Sequence, residues 1–294
     1  MYTQFFGNFL LNNKLVTPAQ LSEAIELKKT TRLKLGVLAI NAGYMTSQQV
    51  DEVHCMQQRV DKRIGDIAVD MGFMTAAQVD ELLSSQKTGY LLLGQALVDR
   101  GYMSNAQFES AIKDYKDKYK MSEKDLTSEQ TDGMKSLIAE FYHFDSVENA
   151  EVLIEYTTLL FKNVVRFIGD DFTPSEAAIV SSFKMLNLSA QNILGEYSAV
   201  TAFGADDDAY AGFASRFAGE RLCIGDEFTC ATVGEFLNLH NGLFTVNMSN
   251  EKEVELELTP QTFSKDAVLN VEKSAFCIPL VFPFGTINFL IGLK

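Results

Sequence analysis

Gly7, Gly36, Gly65 and Gly94 stand 29 residues apart, and that interval organises the chain as far as about residue 115. A second series, Gly43, Gly72 and Gly101, follows seven residues behind the last three, with Lys14 in the corresponding place of the first copy. After it come Leu15-Val16-Thr17, Tyr44-Met45-Thr46, Phe73-Met74-Thr75 and Tyr102-Met103-Ser104. Gln20, Gln49, Gln78 and Gln107 then recur three positions beyond the hydroxyl residue. Self-similarity at a short fixed period means stacked supersecondary units, because one unit cannot bury its own apolar side.

Each copy reads as helix, turn, helix. In the third, Ile64, Ile67, Ala68 and Met71 recur at i, i+3, i+4 and i+7, which is one helical face. Gly72 then suits a left-handed C-terminal cap. Thr75 is a good N-cap for a second helix burying Val79, Leu82 and Leu83, since its hydroxyl can accept from a free backbone N–H. The expectation is an all-α domain of four 29-residue helix-turn-helix repeats over residues 1–117.

In 294 residues there is room for a second domain with its own core, and 47% hydrophobic with 22% charged residues is a globular balance. The net charge of −14 argues against nucleic acid as a partner. Cys55, Cys223, Cys230 and Cys277 lie far apart with no Cys-x-x-Cys pair, which points to reduced thiols in a cytoplasm rather than to zinc or disulfides. His54, His143 and His240 occur in unrelated contexts, so no metal site is expected. The N-terminal MYTQFFGNFLLNNK lacks a basic leader. Ala275 to Leu293 is almost wholly apolar, yet Pro279, Pro283 and Gly285 interrupt it, whereas a spanning helix wants about 20 unbroken apolar residues. Two buried strands around a tight turn fit better, and no membrane insertion is expected.

Residues 118–147 read as a connector. KDYKDKYKMSEKDLTSEQ, from Lys113 to Gln130, alternates charge without a core pattern, and Met134 to Phe144 can form one short helix. Residues 148–294 read as α+β: a helix over Val147 to Ile168, then strands over Ala177 to Leu188 and Ile193 to Phe203 around a turn at Ser189 to Asn192. Helices follow at Asp208 to Glu220 and from Glu227 to about Met248. Val254, Leu256 and Leu258 alternate with glutamates as a half-exposed strand, before the Ala275 to Leu293 hairpin. Asp206-Asp207-Asp208 lacks the spacing of a calcium loop and favours a helix start instead.

The repeats resemble the N-terminal domain of type II secretion and pilus ATPases, of which MshEN is the cyclic-di-GMP-binding version. That family repeats a block opening on Arg-Leu-Gly and closing on Gln. KLGVLAINAG…CMQ, from Lys34 to Gln57, and RIGDIAVDMG…SSQ, from Arg63 to Gln86, come nearest, and the likeness covers about residues 4–115. The resemblance implies a cyclic-di-GMP site at Lys34, Leu35 and Gly36 with Arg63, Ile64 and Gly65. Lys34 replaces one family arginine, and Leu92 stands where a third could be. A lysine cannot copy the planar fork with which arginine grips phosphate. The alternative is a docking module without a ligand.

The C-terminal part resembles the chemotaxis phosphatase CheX, of the CheC, CheX and FliY family. That family carries Gly-Glu-x-x-Asn-x-x-x-Gly-Asn on one helix. Here GEFLNLHNGL, from Gly234 to Leu243, places Glu235, Asn238 and Gly242 at the family spacing, with Leu243 replacing the last Asn. Residues at i and i+3 share a helical face, so Glu235 and Asn238 can reach a partner together. The resemblance implies a phosphorylated CheY-like receiver as partner, whose own Mg2+ neutralises the phosphoryl oxygens. Asn238 would orient the attacking water and Glu235 would pair with a lysine of the receiver. No cofactor of the chain's own is expected, and a homodimer is implied by the relatives. KMLNLSAQN, from Lys184 to Asn192, looks like a second copy of the motif but has Lys184 where the glutamate belongs, and reads as strand and turn. His240 reads as a surface or partner-facing histidine.

Three functions remain open, and geometry separates them. A phosphatase needs Glu235 and Asn238 side by side facing solvent. A non-enzymatic adaptor has them buried, capped or pointing apart. A cyclic-di-GMP effector needs Arg63 free beside a groove between repeats.

Overall fold

A computed structural model describes residues 2–28, 30–84, 89–118, 131–144, 147–223 and 227–294. The chain divides into two compact units, Tyr2–Gly133 and Met134–Lys294. The charged part of the expected connector, residues 119–130, lies outside the described residues.

In the first unit the described residues give eight helices: α1 Tyr2–Asn12, α2 Pro18–Leu27, α3 Leu35–Asn41, α4 Ser47–Gln57, α5 Ile64–Asp70, α6 Ala76–Ser84, α7 Gly89–Asp99 and α8 Asn105–Lys118. The recurring glutamine has a physical role that its spacing alone does not reveal. Thr17 and Thr46 each form a capping box with Gln20 and Gln49. The same reciprocal bonds link Thr75 with Gln78 and Ser104 with Gln107. Each satisfies two backbone N–H groups that a helix start would otherwise leave open. Gly43, Gly72 and Gly101 turn the chain at φ of 70°, 72° and 69°, and Lys14 is forced into the same left-handed region at 56°. The 29-residue glycines serve packing instead. A methyl group on Gly36 would lie 2.7 Å from Val50, one on Gly65 2.9 Å from Val79, and one on Gly94 would enter the ring of Phe108. Leu82 is buried as expected, but Val79 is half-buried against Gly65 and Leu83 is 68% exposed.

The second unit runs α9 Thr131–Tyr142, α10 Ala150–Phe167, β1 Thr173–Pro174, β2 Ala178–Gly195, β3 Ala199–Ala205, α11 Asp207–Ala218, α12 Glu227–Lys252, β4 Leu256–Leu258, β5 Thr262–Phe282 and β6 Gly285–Leu293. The strands form one antiparallel sheet in the order β1-β5-β6-β3-β2-β4, and β5 also pairs with β2. Asp206 caps α11, accepting from the backbone N–H of Ala209 at 2.9 Å. No helix among the described residues is long and apolar enough to cross a membrane, and Ala275 to Leu293 is indeed strand, turn and strand.

Two strand boundaries differ from expectation, and one is that β5 starts at Thr262 rather than at Ala275. Ser189 to Asn192 is not a turn but the middle of β2, paired with β3 on one side and, through Ser189 and Ala190, with β5 on the other. Its polar residues mark buried hydrogen bonds rather than exposed chain: Ser189 and Gln191 are 1% and 3% exposed. The real turn follows Gly195, at φ 123°, where the Ser198 hydroxyl donates to Gly195 O at 2.6 Å and accepts from Gly195 N at 3.1 Å.

Helix α12 lies on the sheet along a stripe of Val233, Phe236, Leu237, His240, Asn241, Phe244 and Met248, all buried, at i, i+3, i+4 spacing. Phe236 anchors it, its ring 5.4 Å from Phe203 and 5.0 Å from Phe213. Burying such a phenylalanine contributes about 2–3 kcal/mol. With that stripe fixed, Glu235 and Leu243 lie outside it and Asn238 at its edge.

Candidate functional site on helix α12

Glu235 is exposed, and its Oε1 accepts from Gln261 Nε2 at 2.8 Å. Gly234 permits this: a methyl there would press on Gln261 Cγ at 3.2 Å. Asn238, one turn on, is half-buried, and its Oδ1 accepts from Gln191 Nε2 at 2.8 Å. Gln191 Nε2 also donates to Thr259 O at 2.8 Å, in the connection between β4 and β5. The two motif side chains therefore sit one turn apart, each held by a glutamine from the sheet side. They are side by side, with Glu235 exposed and Asn238 half-buried. Asn238 Oδ1 is also partly capped, which the sequence assigns to an adaptor.

Beneath them lies a buried polar network that the sequence reading missed. Asn241 Nδ2 donates to Gln191 Oε1 at 2.8 Å and to Thr201 Oγ1 at 2.9 Å, and Tyr156 donates its hydroxyl proton to Asn241 Oδ1. Thr201 Oγ1 donates to Gln191 O at 2.8 Å. Burial pushes the Tyr156 hydroxyl well above its usual pKa, so it stays a donor. The signal for Asn241 was present, since it sits at i+4 and i+8 from Leu237 and Val233 on the apolar stripe.

His240 corrects the sequence reading most plainly. It is fully buried, its ring 4.4 Å from Tyr156 and 6.2 Å from Phe289. Its Nδ1 lies 3.1 Å from Asn163 Nδ2, an atom that can only donate, so Nδ1 accepts and the neutral ring carries its proton on Nε2. Nε2 has no hydrogen-bond partner among the described residues. Burial pushes the pKa down to about 3. Positions 236, 237 and 244 around it are all apolar, and that spacing could have placed it inside.

A hollow of about 410 Å³ opens beside Glu235, lined by Cys230, Gly234, Gln261, Phe263, Ser189 and Lys265. Its Ser189 hydroxyl lies 2.6 Å from that of Tyr210. A second, of about 550 Å³, lies further along α12 against Leu194, Val246, Leu256 and Glu257. Leu243, where the family motif has asparagine, is 39% exposed on the same helix. Among the described residues no group of three side chains could hold a metal ion.

In the first unit, Lys34 and Arg63 are the N-cap residues of α3 and α5. Lys34 Nζ pairs with Asp99 at 2.7 Å, and its backbone N–H donates to Gln95 Oε1 at 3.1 Å. Arg63 is exposed, and its side chain makes no hydrogen bond or ion pair among the described residues, while its carbonyl accepts from Ile67 N at 3.1 Å. The two blocks meet: a methyl on Gly65 would lie 3.2 Å from Leu35 Cδ2. Leu35, Gly36 and Gly65 are buried and Ile64 is half-buried.

No known family profile matches the chain, and no curated protein matches it. Among solved structures, about half of the chain is similar to the chemotaxis protein CheX from Desulfovibrio desulfuricans, at 14% identity over 49% of this chain and 99% of that one, with a TM-score of 0.43. A CheC-like superfamily protein from Shewanella sp. PV-4 gives 14% identity, 50% and 99% coverage and a TM-score of 0.45. A chain of the CheX–CheY–BeF3–Mg complex from Borrelia burgdorferi gives 15%, 49%, 97% and 0.43.

Proposed function

We propose that the second unit is a CheX-like phosphatase for a phosphorylated CheY-like receiver, with Glu235 and Asn238 as the residues that enter the receiver's site. The observation that carries this is their placement: a carboxylate and an amide one turn apart on the accessible side of α12, each held by a glutamine. Preset side chains lose less freedom on docking, which is how positioning lowers a barrier. In the reaction a water oxygen attacks phosphorus in line. The bond from phosphorus to the receiver's aspartyl oxygen breaks, the water's oxygen and one proton leave as part of inorganic phosphate, its second proton passes to phosphate or solvent, and the carboxylate is regenerated. Mg2+ belongs to the receiver and supplies charge neutralisation there. Asn238 fixes the water, and Glu235 engages a receiver lysine.

The test is decay of a phosphorylated receiver with wild type, Glu235→Ala and Asn238→Ala. Acceleration by wild type that each substitution reduces by about 100-fold supports the proposal. No acceleration for any receiver of the same organism, with binding retained, establishes the adaptor instead. That second reading is favoured by Leu243 in place of asparagine and by the partly capped oxygen of Asn238.

For the first unit the cyclic-di-GMP reading rests on the exposed Arg63, while Lys34 is engaged by Asp99. Saturable heat on calorimetric titration with cyclic-di-GMP, lost in Arg63→Ala, is the expected result. A flat titration leaves the unit as a docking module.

A further inference from the structure

The sense of every hydrogen bond around Asn238 follows from two backbone carbonyls, which can only accept. Thr259 O accepts from Gln191, so the nitrogen of the Gln191 amide faces the β4–β5 connection and its oxygen faces away. That same nitrogen lies 2.8 Å from Asn238, so the Asn238 atom it meets must accept, which makes it Oδ1. On the far side, Gln191 O accepts the only proton of the Thr201 hydroxyl. Thr201 Oγ1 can then only accept from Asn241, so Nδ2 of Asn241 faces it and also donates to Gln191 Oε1. Asn241 Oδ1 is left to receive the Tyr156 proton. Turning the Asn238 amide round would set its NH2 against that of Gln191.

We infer that Gln191 is a positioning residue that pins Asn238 Oδ1 inward and presents the Asn238 NH2 to whatever docks on α12. Asn238 then meets its target as a donor to an oxygen lone pair. On the phosphatase reading, which this inference deepens, that oxygen is the attacking water, held through one lone pair with the other left for phosphorus. The orientation of the amide itself does not depend on that reading.

The side-chain amide signals of the full chain test it without a partner. The Asn238 pair is assigned by its loss in Asn238→Asp and the Gln191 pair by its loss in Gln191→Glu. In wild type the Gln191 protons should exchange with solvent about tenfold more slowly than those of Asn238. Gln191→Glu offers acceptors only, so Asn238 should turn its NH2 inward and exchange about tenfold more slowly. A protected Asn238 pair in wild type, or no change in Gln191→Glu, overturns the inference. Asn238→Asp keeps an inward acceptor, so Gln191 should stay protected there. Loss of that protection overturns it too, even if Gln191→Glu fails to fold. With a phosphorylated receiver, Gln191→Glu should lower kcat about tenfold at unchanged KM, the mark of a lost transition-state contact rather than weaker docking. The expected exchange pattern with no dephosphorylation by wild type removes the phosphatase reading and leaves the positioning role standing.

Discussion

Asn238 and His240 are two positions apart on one helix, and the difference between them is which side of α12 each occupies. Asn238 keeps one end of its amide at the surface, whereas His240 is sealed among Tyr156, Asn163 and Phe289. A ring held neutral inside the fold but free to charge in the unfolded chain links stability to pH. Below about pH 6.5 the unfolded histidine binds a proton that the folded one refuses until about pH 3. Stability should therefore fall as pH drops through that window, by at most about 1.4 kcal/mol per unit from this group. Urea denaturation from about pH 6.5 to 5, above most carboxylate titration, should show a slope that His240→Gln flattens. An unchanged slope would mean that His240 is not buried neutral. At this scale the sequence was a partial guide. Glu235 and Asn238 stood out because a motif spacing carried them. Gln191, Gln261 and Asn241 did not, because their roles come from contacts between residues 26 to 50 positions apart.

Helices and strands differed in how far the sequence exposed them. The second unit's helices came out within a few residues of their expected ends, because caps such as Asp206 and the 3.6-residue stripe are local signals. Strand β2 was divided in two because Ser189, Gln191 and Asn192 imitate a turn, when two of them actually face buried partners. Period-2 polarity cannot tell a solvated face from a face lined with hydrogen-bond partners. The repeated helices give the sharpest test of local physics. Gly94→Ala forces a methyl into Phe108 and should cost about 1–3 kcal/mol, while Gly7→Ala, with 3.4 Å to Leu21, should cost far less. Lys14→Gly should stabilise by up to about 1 kcal/mol, since it relieves the left-handed backbone that the other three copies give to glycine. Thermal denaturation of the three variants checks the order, and a stabilised Gly94→Ala would show that α7 and α8 do not pack as closely as described.

Across the whole chain, the sequence pattern changes over the connector of residues 118–147, and the compact units part within that stretch, at Gly133 and Met134. The function classes were narrowed by charge and cysteine spacing, and the site by one helical motif. What the sequence could not show was how the sheet is threaded. Each glycine of the 29-residue series touches a residue only fourteen positions ahead, as Gly36 does Val50 and Gly94 does Phe108. Strand β2, by contrast, finds β5 across both α11 and α12, pairing Ala178 with Cys277. Contacts of such different reach form at different speeds, because a long loop must close before a distant pairing yields any stability. The first unit's hairpins can form as they are made, although α1 and α2 pack on α7 only once Gly89–Asp99 has followed. In the second, β2 can pair with β3 as soon as that strand is made, but its β5-facing backbone groups wait unpaired, at synthesis rates of about 5–20 residues per second. For that interval of several seconds the Gln191 end of the site has no Thr259 to orient it. The helix that carries Glu235 and Asn238 is complete before Thr259 and Gln261, which finish their support, exist.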